Sequence, residues 1–178
     1  DVYKRQVRRH TGRRGEDAWM KDRIFTDSGR LSAAIEEQRL GGRTVVLANG
    51  CFDILHVGHV RYLEEAAAQG DILVVAVNDD DSTRRLKGEG RPVMPAAERA
   101  EIISAFRFVD LVLIFGDDTV DGVLRTLRPD FHAKGTDYTV ETVPEIETAR
   151  EIGCVTVITG DAKDRSSRGI IARLRREG

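Results

Sequence analysis

His56 and His59 are the side chains in this 178-residue sequence whose type and spacing most directly promise chemistry. They flank Gly58 in the string Asn49-Gly50-Cys51-Phe52-Asp53-Ile54-Leu55-His56-Val57-Gly58-His59. A helix beginning near Gly58 would bring both imidazoles to one point at its first turn. Unpaired helix N–H groups and two imidazole donors make an anion site there, and Gly58 lets a bulky ligand approach the backbone closely. An anion that becomes more negative during reaction is a phosphoryl or nucleotidyl group in transfer.

Three other chemistries weigh less. Cys51, His56 and His59 as metal ligands fit no standard zinc spacing, and no fourth ligand lies nearby in the sequence. Cys51 as a nucleophile is set against neighbours, Gly50 and Phe52, that mark a small buried residue at a strand end. The sequence has no Gly-x4-Gly-Lys-Ser/Thr phosphate loop, and its Gly88-x-Gly90 pair lacks a third glycine and follows no strand. Kinase-like and dinucleotide-oxidoreductase readings therefore fall away.

The elements that must position the histidines follow from hydrophobic pattern. Residues 44–48 are an apolar, β-branched run that reads as a strand buried on both faces. A helix from about Gly58 to Gln69 puts Val60, Leu63, Ala66 and Ala67 on one face, with Glu64 and Glu65 outward. Upstream, Leu31, Ala34, Ile35 and Leu40 follow helical spacing, with Ser28 as cap and Gly41-Gly42 as stop. Downstream we expect strands at 72–77, 111–115, 131–133 and 154–158. Helices are expected from Pro95 to about Arg107 (burying Ile102, Ile103 and Phe106), at 119–127, 144–152 and 167–176. Residues 78–90 read as a long polar loop. This alternation predicts an α/β fold, a Rossmann-like open parallel five-stranded sheet with helices on both faces, as one domain over 28–178.

Residues 1–27 stand apart: arginine-rich at the start, without an initiator Met or periodicity, they read as a disordered tail or a non-native extension. A basic arm gripping nucleic acid is the functional alternative for that stretch. The net charge of −2 argues against nucleic-acid binding by the domain as a whole. Apolar runs such as 72–77 are far too short to span a membrane, and no charged-then-apolar signal opens the chain. Two cysteines make no disulfide framework, so a reducing cytoplasm is the expected setting.

His-x-Gly-His after a first strand resembles the signature of the nucleotidyltransferase superfamily that includes cytidylyltransferases and small adenylyltransferases. The longer string 49–63 closely resembles the heptose 1-phosphate adenylyltransferase family, the adenylyltransferase domains of ADP-heptose synthases. The likeness continues through Val77-Asn78-Asp79-Asp80, Arg85-Leu86-Lys87-Gly88, Arg91-Pro92-Val93, Glu98-Arg99, Val109-Asp110 and Lys134-Gly135-x-Asp137-Tyr138, and covers about 31–176. One departure is the late Ser-Thr-Thr-type motif, which here reads Arg165-Ser166-Ser167-Arg168.

The resemblance implies that a sugar 1-phosphate attacks the α-phosphorus of ATP, giving ADP-sugar and pyrophosphate for cell-surface polysaccharide. It implies His56, His59 and Lys134 as catalytic residues. Asn49, Gly50, Cys51, Phe52, Asp53, Gly58, Lys87, Arg91, Ser166 and Ser167 would bind nucleotide, and Asp137 and Tyr138 the acceptor. Mg2+ is expected as the counter-ion of ATP, held by phosphate and water and by no protein metal site. Homo-oligomerisation is a further expectation. Transfer of CMP to glycerol 3-phosphate and a nucleotide-sensing module without turnover are the competing readings.

Overall fold

The computed structural model describes residues 23–161. Ser166, Ser167, the helix expected at 167–176 and residues 1–22 lie outside the described residues. Six parallel strands form one sheet: β1 (Ile24–Phe25), β2 (Val45–Gly50), β3 (Ile72–Asn78), β4 (Leu111–Phe115), β5 (Phe131–Gly135) and β6 (Val155–Thr159), in the order β1-β4-β3-β2-β5-β6. Among the described residues, six α-helices connect them: α1 (Ser28–Arg39), α2 (Val57–Ala67), α3 (Asp80–Lys87), α4 (Ala96–Ser104), α5 (Asp121–Leu127) and α6 (Ile146–Ile152).

Alternate residues of each central strand enter opposite cores, which explains why these strands read as unbroken apolar runs. Val45 and Leu47 of β2 join Ile72, Val74 and Ala76 of β3 beneath α1, α5 and α6. Val46 and Ala48 join Leu73, Val75 and Val77 beneath α2 and α4. Leu63 of α2 and Ile103 of α4 are fully buried on that second face, each contributing about 1.5–3 kcal/mol relative to exposure.

Successive strands run outward from β2 through β3 to β4. The chain then crosses back and lays β5 on the other side of β2, paired at Val46–Phe131, Leu47–His132 and Ala48–Ala133. The order therefore reverses between β2 and β5. Such a reversal opens a crevice beyond the carboxyl ends of the two strands, where open α/β sheets take ligands.

Four expectations change in detail. The sheet has six strands and not five, because Ile24–Phe25 pairs with β4 inside the stretch set aside as tail. Two residues carry no periodicity, and their anchor is non-local: Arg23 Nε donates to the Asp110 carbonyl at 2.8 Å and Val112 N–H donates to the Arg23 carbonyl at 2.8 Å. The expected loop at 78–90 contains α3. Its buried side is Ser82 and Thr83, so no apolar stripe announced a helix. Asp27, and not Ser28, caps α1 by accepting from Arg30 N–H at 2.9 Å. Ile102 is exposed, while Ile103 packs inward.

Candidate active site

The loop that leaves β2 ends in a cap built from the two histidines. His56 is extended (φ −146°, ψ 169°) at the position before α2. Its Nδ1 accepts from the Gly58 N–H at 3.2 Å, and the His59 Nδ1 accepts from the His56 N–H at 3.3 Å. This is the reciprocal logic of a capping box, with imidazoles in place of hydroxyl and carboxylate. Its chemical result concerns the protons. A ring nitrogen that accepts cannot carry hydrogen, so each neutral ring holds its hydrogen on Nε2. The rings lie 4.0 Å apart at 32°, giving two matched Nε2–H donors at the positive end of a helix.

Phe52 holds this pair from behind. Its backbone is left-handed at φ 49°, and it is buried, a conformation that costs a non-glycine residue about 1–3 kcal/mol. What the conformation achieves is ring placement: Phe52 meets His59 edge-on at 5.4 Å and stacks on Tyr62 at 6.4 Å. Gly50 makes room, since a Cβ there would sit 3.2 Å from the Phe52 ring. Tyr62 in turn donates to the Ala133 carbonyl at 2.8 Å, and burial pushes its hydroxyl pKa well above the usual value. A continuous set of contacts therefore links His59 on α2 to Lys134 at the end of β5.

Lys134 is buried and held on three sides. Its Nζ donates to Glu145 Oε2 at 3.1 Å and to Asn49 Oδ1 at 3.3 Å, and stands 5.1 Å from the centre of the Tyr138 ring. Asn49 Oδ1 also meets His132 Nε2 at 3.1 Å. Because an amide oxygen only accepts, His132 is the donor. Its other nitrogen, Nδ1, is buried with no hydrogen-bond partner. Burial first, and the nearby Lys134 second, push the His132 pKa down to about 3, against an opposing pull from Asp121.

The remaining polar side chains near the loop act on the protein itself. Asp53 accepts from Val93 N–H at 2.7 Å, from Met94 N–H at 3.1 Å and from Arg91 Nε. Arg99 has no exposed surface. It donates to the carbonyls of Met94, Cys51 and Asn78 and to Asp80 Oδ1, stitching the ends of β2 and β3 to the start of α4.

The cytidylyltransferase-like family model matches residues 47–173, well over half the chain. The chain belongs to that family. Membership makes it a nucleotidyl-transferring enzyme. Among curated relatives, the bifunctional protein HldE of Shewanella piezotolerans is 55% identical over 114 residues, covering 64% of this chain and 24% of that protein. HldE of Azotobacter vinelandii is 43% identical over 148 residues, covering 83% of this chain and 31% of that protein. The chain thus spans about a quarter to a third of the length of these relatives. The crystal structure of the lipopolysaccharide core biosynthesis protein from Thermoplasma volcanium is similar at a TM-score of 0.57 and 32% identity, over 68% of this chain and all of that one.

Within this cytidylyltransferase-like domain, the residues selected from sequence divide into three groups. Asn49, Gly50, Phe52, His56, Gly58, His59 and Lys134 are drawn together at the ends of β2 and β5, with Tyr138 against Lys134. Asp53 and Arg91 are joined to each other, and Asp53 also holds the Val93 and Met94 N–H groups, so the pair tethers residues 91–94 beside the loop. Cys51 lies nearby with its Sγ 3.8 Å from Asn78 Oδ1, whereas Lys87, the last residue of α3, and Asp137, in the turn after β5, are exposed. A separate cavity of about 480 Å³ opens beside Asp79, Phe115, Asp117 and Thr126 at the end of β4, two strands from β2, and none of the selected residues lines it.

Sequence reasoning missed Arg99, His132 and Glu145 as site-building residues. Arg99 carried a signal, a lone arginine amid the apolar positions of α4. His132 sat inside the strand run next to Lys134 and was legible as a polar interruption. Glu145 carried none, because it meets Lys134 from eleven positions away, past a turn and a short helix.

Proposed function

We propose that this chain transfers AMP from ATP to a sugar 1-phosphate, D-glycero-β-D-manno-heptose 1-phosphate above all, releasing pyrophosphate and forming an ADP-sugar. The observation that carries the reading is the histidine cap of α2, which sets two Nε2–H donors and a helix amino terminus at the switch point of the sheet. The likeness of string 49–63 to heptose 1-phosphate adenylyltransferases, and of most of the chain to part of HldE, supports the choice of nucleotide and acceptor.

Little covalent help is needed. A sugar phosphate is largely dianionic near neutrality, with a second pKa of about 6, so one of its oxygens attacks the α-phosphorus without a general base. The new bond joins that oxygen to phosphorus. The bond from the α-phosphorus to the bridging oxygen breaks in line, and its electron pair leaves with pyrophosphate. His56 and His59 donate from Nε2 to the crowded phosphoryl oxygens, where negative charge builds, and Lys134 supplies a fixed positive charge from β5. The residues also fit the expected counter-ion arrangement. The two buried carboxylates near the loop, Asp53 and Glu145, are engaged by Arg91 and Lys134, so Mg2+ would be held by phosphate and water oxygens, where it neutralises charge on the triphosphate. Two free thiols, Cys51 and Cys154, suit a reducing cytoplasm.

The test is pyrophosphate release with ATP or CTP against a panel of sugar and alditol phosphates. Release with ATP and heptose 1-phosphate is expected. Release only with CTP and glycerol 3-phosphate would replace this reading by the cytidylyltransferase one, and tight ATP binding without release from any acceptor would favour a sensing module.

A further inference from the structure

The pair Lys134–Glu145 has a location that stability alone does not explain. Both side chains are almost wholly buried, 7% and 4% exposed, and their ion pair spans 3.1 Å. Buried ion pairs stabilise a fold little better than well-packed apolar groups of the same volume. A buried pair at the carboxyl end of a central strand, beside a switch-point crevice, is better explained by what it does to a ligand.

The geometry around the ammonium specifies that role. An ammonium has three N–H donors. One goes to Glu145 Oε2 and one to Asn49 Oδ1, and the Tyr138 ring lies 5.1 Å away. Asn49 cannot turn away, because its oxygen also receives the His132 Nε2–H. Glu145 is fixed at the start of α6, where its carbonyl accepts from Ala149 N–H at 2.9 Å. A flexible side chain with four rotatable bonds is thus held by two hydrogen bonds from separate elements, leaving one N–H for a ligand.

We infer that Glu145 is a positioning residue: together with Asn49 it holds the Lys134 ammonium so that its third N–H meets a phosphate oxygen of the bound nucleotide. Glu145 touches no substrate and acts through Lys134. The inference rests on the proposed nucleotidyl transfer for its kinetic consequence, and on the anion site alone for its binding consequence.

The test compares Glu145→Gln, Glu145→Asp, Lys134→Met and the double variant Lys134→Met/Glu145→Gln with the parent chain. Pyrophosphate release, affinity for ATP by calorimetry and thermal melting are read for each. Glu145→Gln should lower kcat about 10²-fold, the scale of displacing a reacting group by about 1 Å, and should weaken ATP binding several-fold. Glu145→Asp should recover part of both. In the Lys134→Met background, Glu145→Gln should cost less than about threefold in either readout, as expected of residues that act as one unit. A merely structural Glu145 would cost the same factor in both backgrounds, and that result overturns the inference. Parent-like kcat and ATP affinity in Glu145→Gln overturn it equally. Should Glu145→Gln fail to fold, Glu145→Asp and the double variant, which removes both charges together, still decide the point. A parent chain that binds ATP but releases no pyrophosphate would refute the reaction, while the ATP affinities would still judge Glu145.

Discussion

His132 makes the acid stability of this domain a direct readout of how its site is framed. The side chain is fully buried on β5 and donates through Nε2 to Asn49, while its Nδ1 has no partner. Its pKa is pushed down to about 3 in the folded chain from an ordinary value of 6.5. Between these two values the unfolded chain takes up a proton that the folded one refuses. The stability contributed by the neutral ring is therefore fully present above pH 6.5 and lost progressively as the pH falls towards 3. Linkage puts that loss at about 1.4 kcal/mol per pH unit within the window, or about 2 kcal/mol between pH 7 and pH 5. His132→Gln removes the titration while an amide N–H can still reach Asn49. Melting both proteins at pH 7 and pH 5 cancels most contributions from other groups. The parent should lose about 2 kcal/mol more than the variant on acidification, equivalent to roughly 4–8 °C of extra fall in Tm for a domain of this size. Parallel acid profiles, with a difference constant to within about 0.5 kcal/mol, would refute the argument: they would mean that the folded protein accommodates the imidazolium, through solvent access or a partner for Nδ1.

Three further substitutions probe the cap and the tethers. His59→Ala should lower kcat by about 10²–10³-fold, the scale of losing one preorganised donor, while the melting temperature shows the domain still folded; normal turnover would remove His59 from the mechanism. Asp53→Ala strands Arg91 and the N–H groups of Val93 and Met94, so urea denaturation should show a loss of about 3–5 kcal/mol, the scale of breaking a buried pair, and a loss below about 1 kcal/mol would argue that residues 91–94 are held elsewhere. Arg99→Lys cannot reproduce the fork that reaches four oxygens, and leaving even two of them unpaired should cost about 2–5 kcal/mol by the same measurement.

The parts of the fold that were legible from sequence are those in which burial is symmetric and local. β2, β3 and β4 have apolar residues on both faces, and their runs stand out without any alignment. The helix at Val57–Ala67 was legible because one face buries Leu63 and Ala66. Elements held by polar contacts were not. The helix at Asp80–Lys87 is held by Asp79 capping Ser82 N–H at 2.7 Å and by Asn78 Nδ2 reaching Ser82 Oγ at 3.3 Å, which leaves a sequence indistinguishable from a charged loop. β1 exists because Arg23 finds Asp110, 87 positions away. At the site the same division holds. His56 and His59 could be placed because their spacing is local to one helix turn. Glu145 could not, since nothing near it in sequence says that it will meet Lys134.

The division also explains why charge is a poor guide to ligand contact in this loop. A reading by residue type assigns every cation near the crevice to phosphate and every carboxylate to hydroxyls or metal. The geometry separates them by what they already hold. Arg99 and Asp53 spend most of their hydrogen bonds on backbone groups of the loops and the rest on Asp80 and Arg91, and removing either should show first in stability. His56 and His59 each accept a backbone N–H at Nδ1, and in the neutral ring that bond places the hydrogen on Nε2. An arginine or aspartate bound this way shapes the loops around it; a histidine bound through Nδ1 is oriented by the same contact that sets its neutral tautomer. If the proposed nucleotidyl transfer holds, this asymmetry, rather than the number of charges, makes the helix cap the expected receiver of the phosphoryl group in transfer.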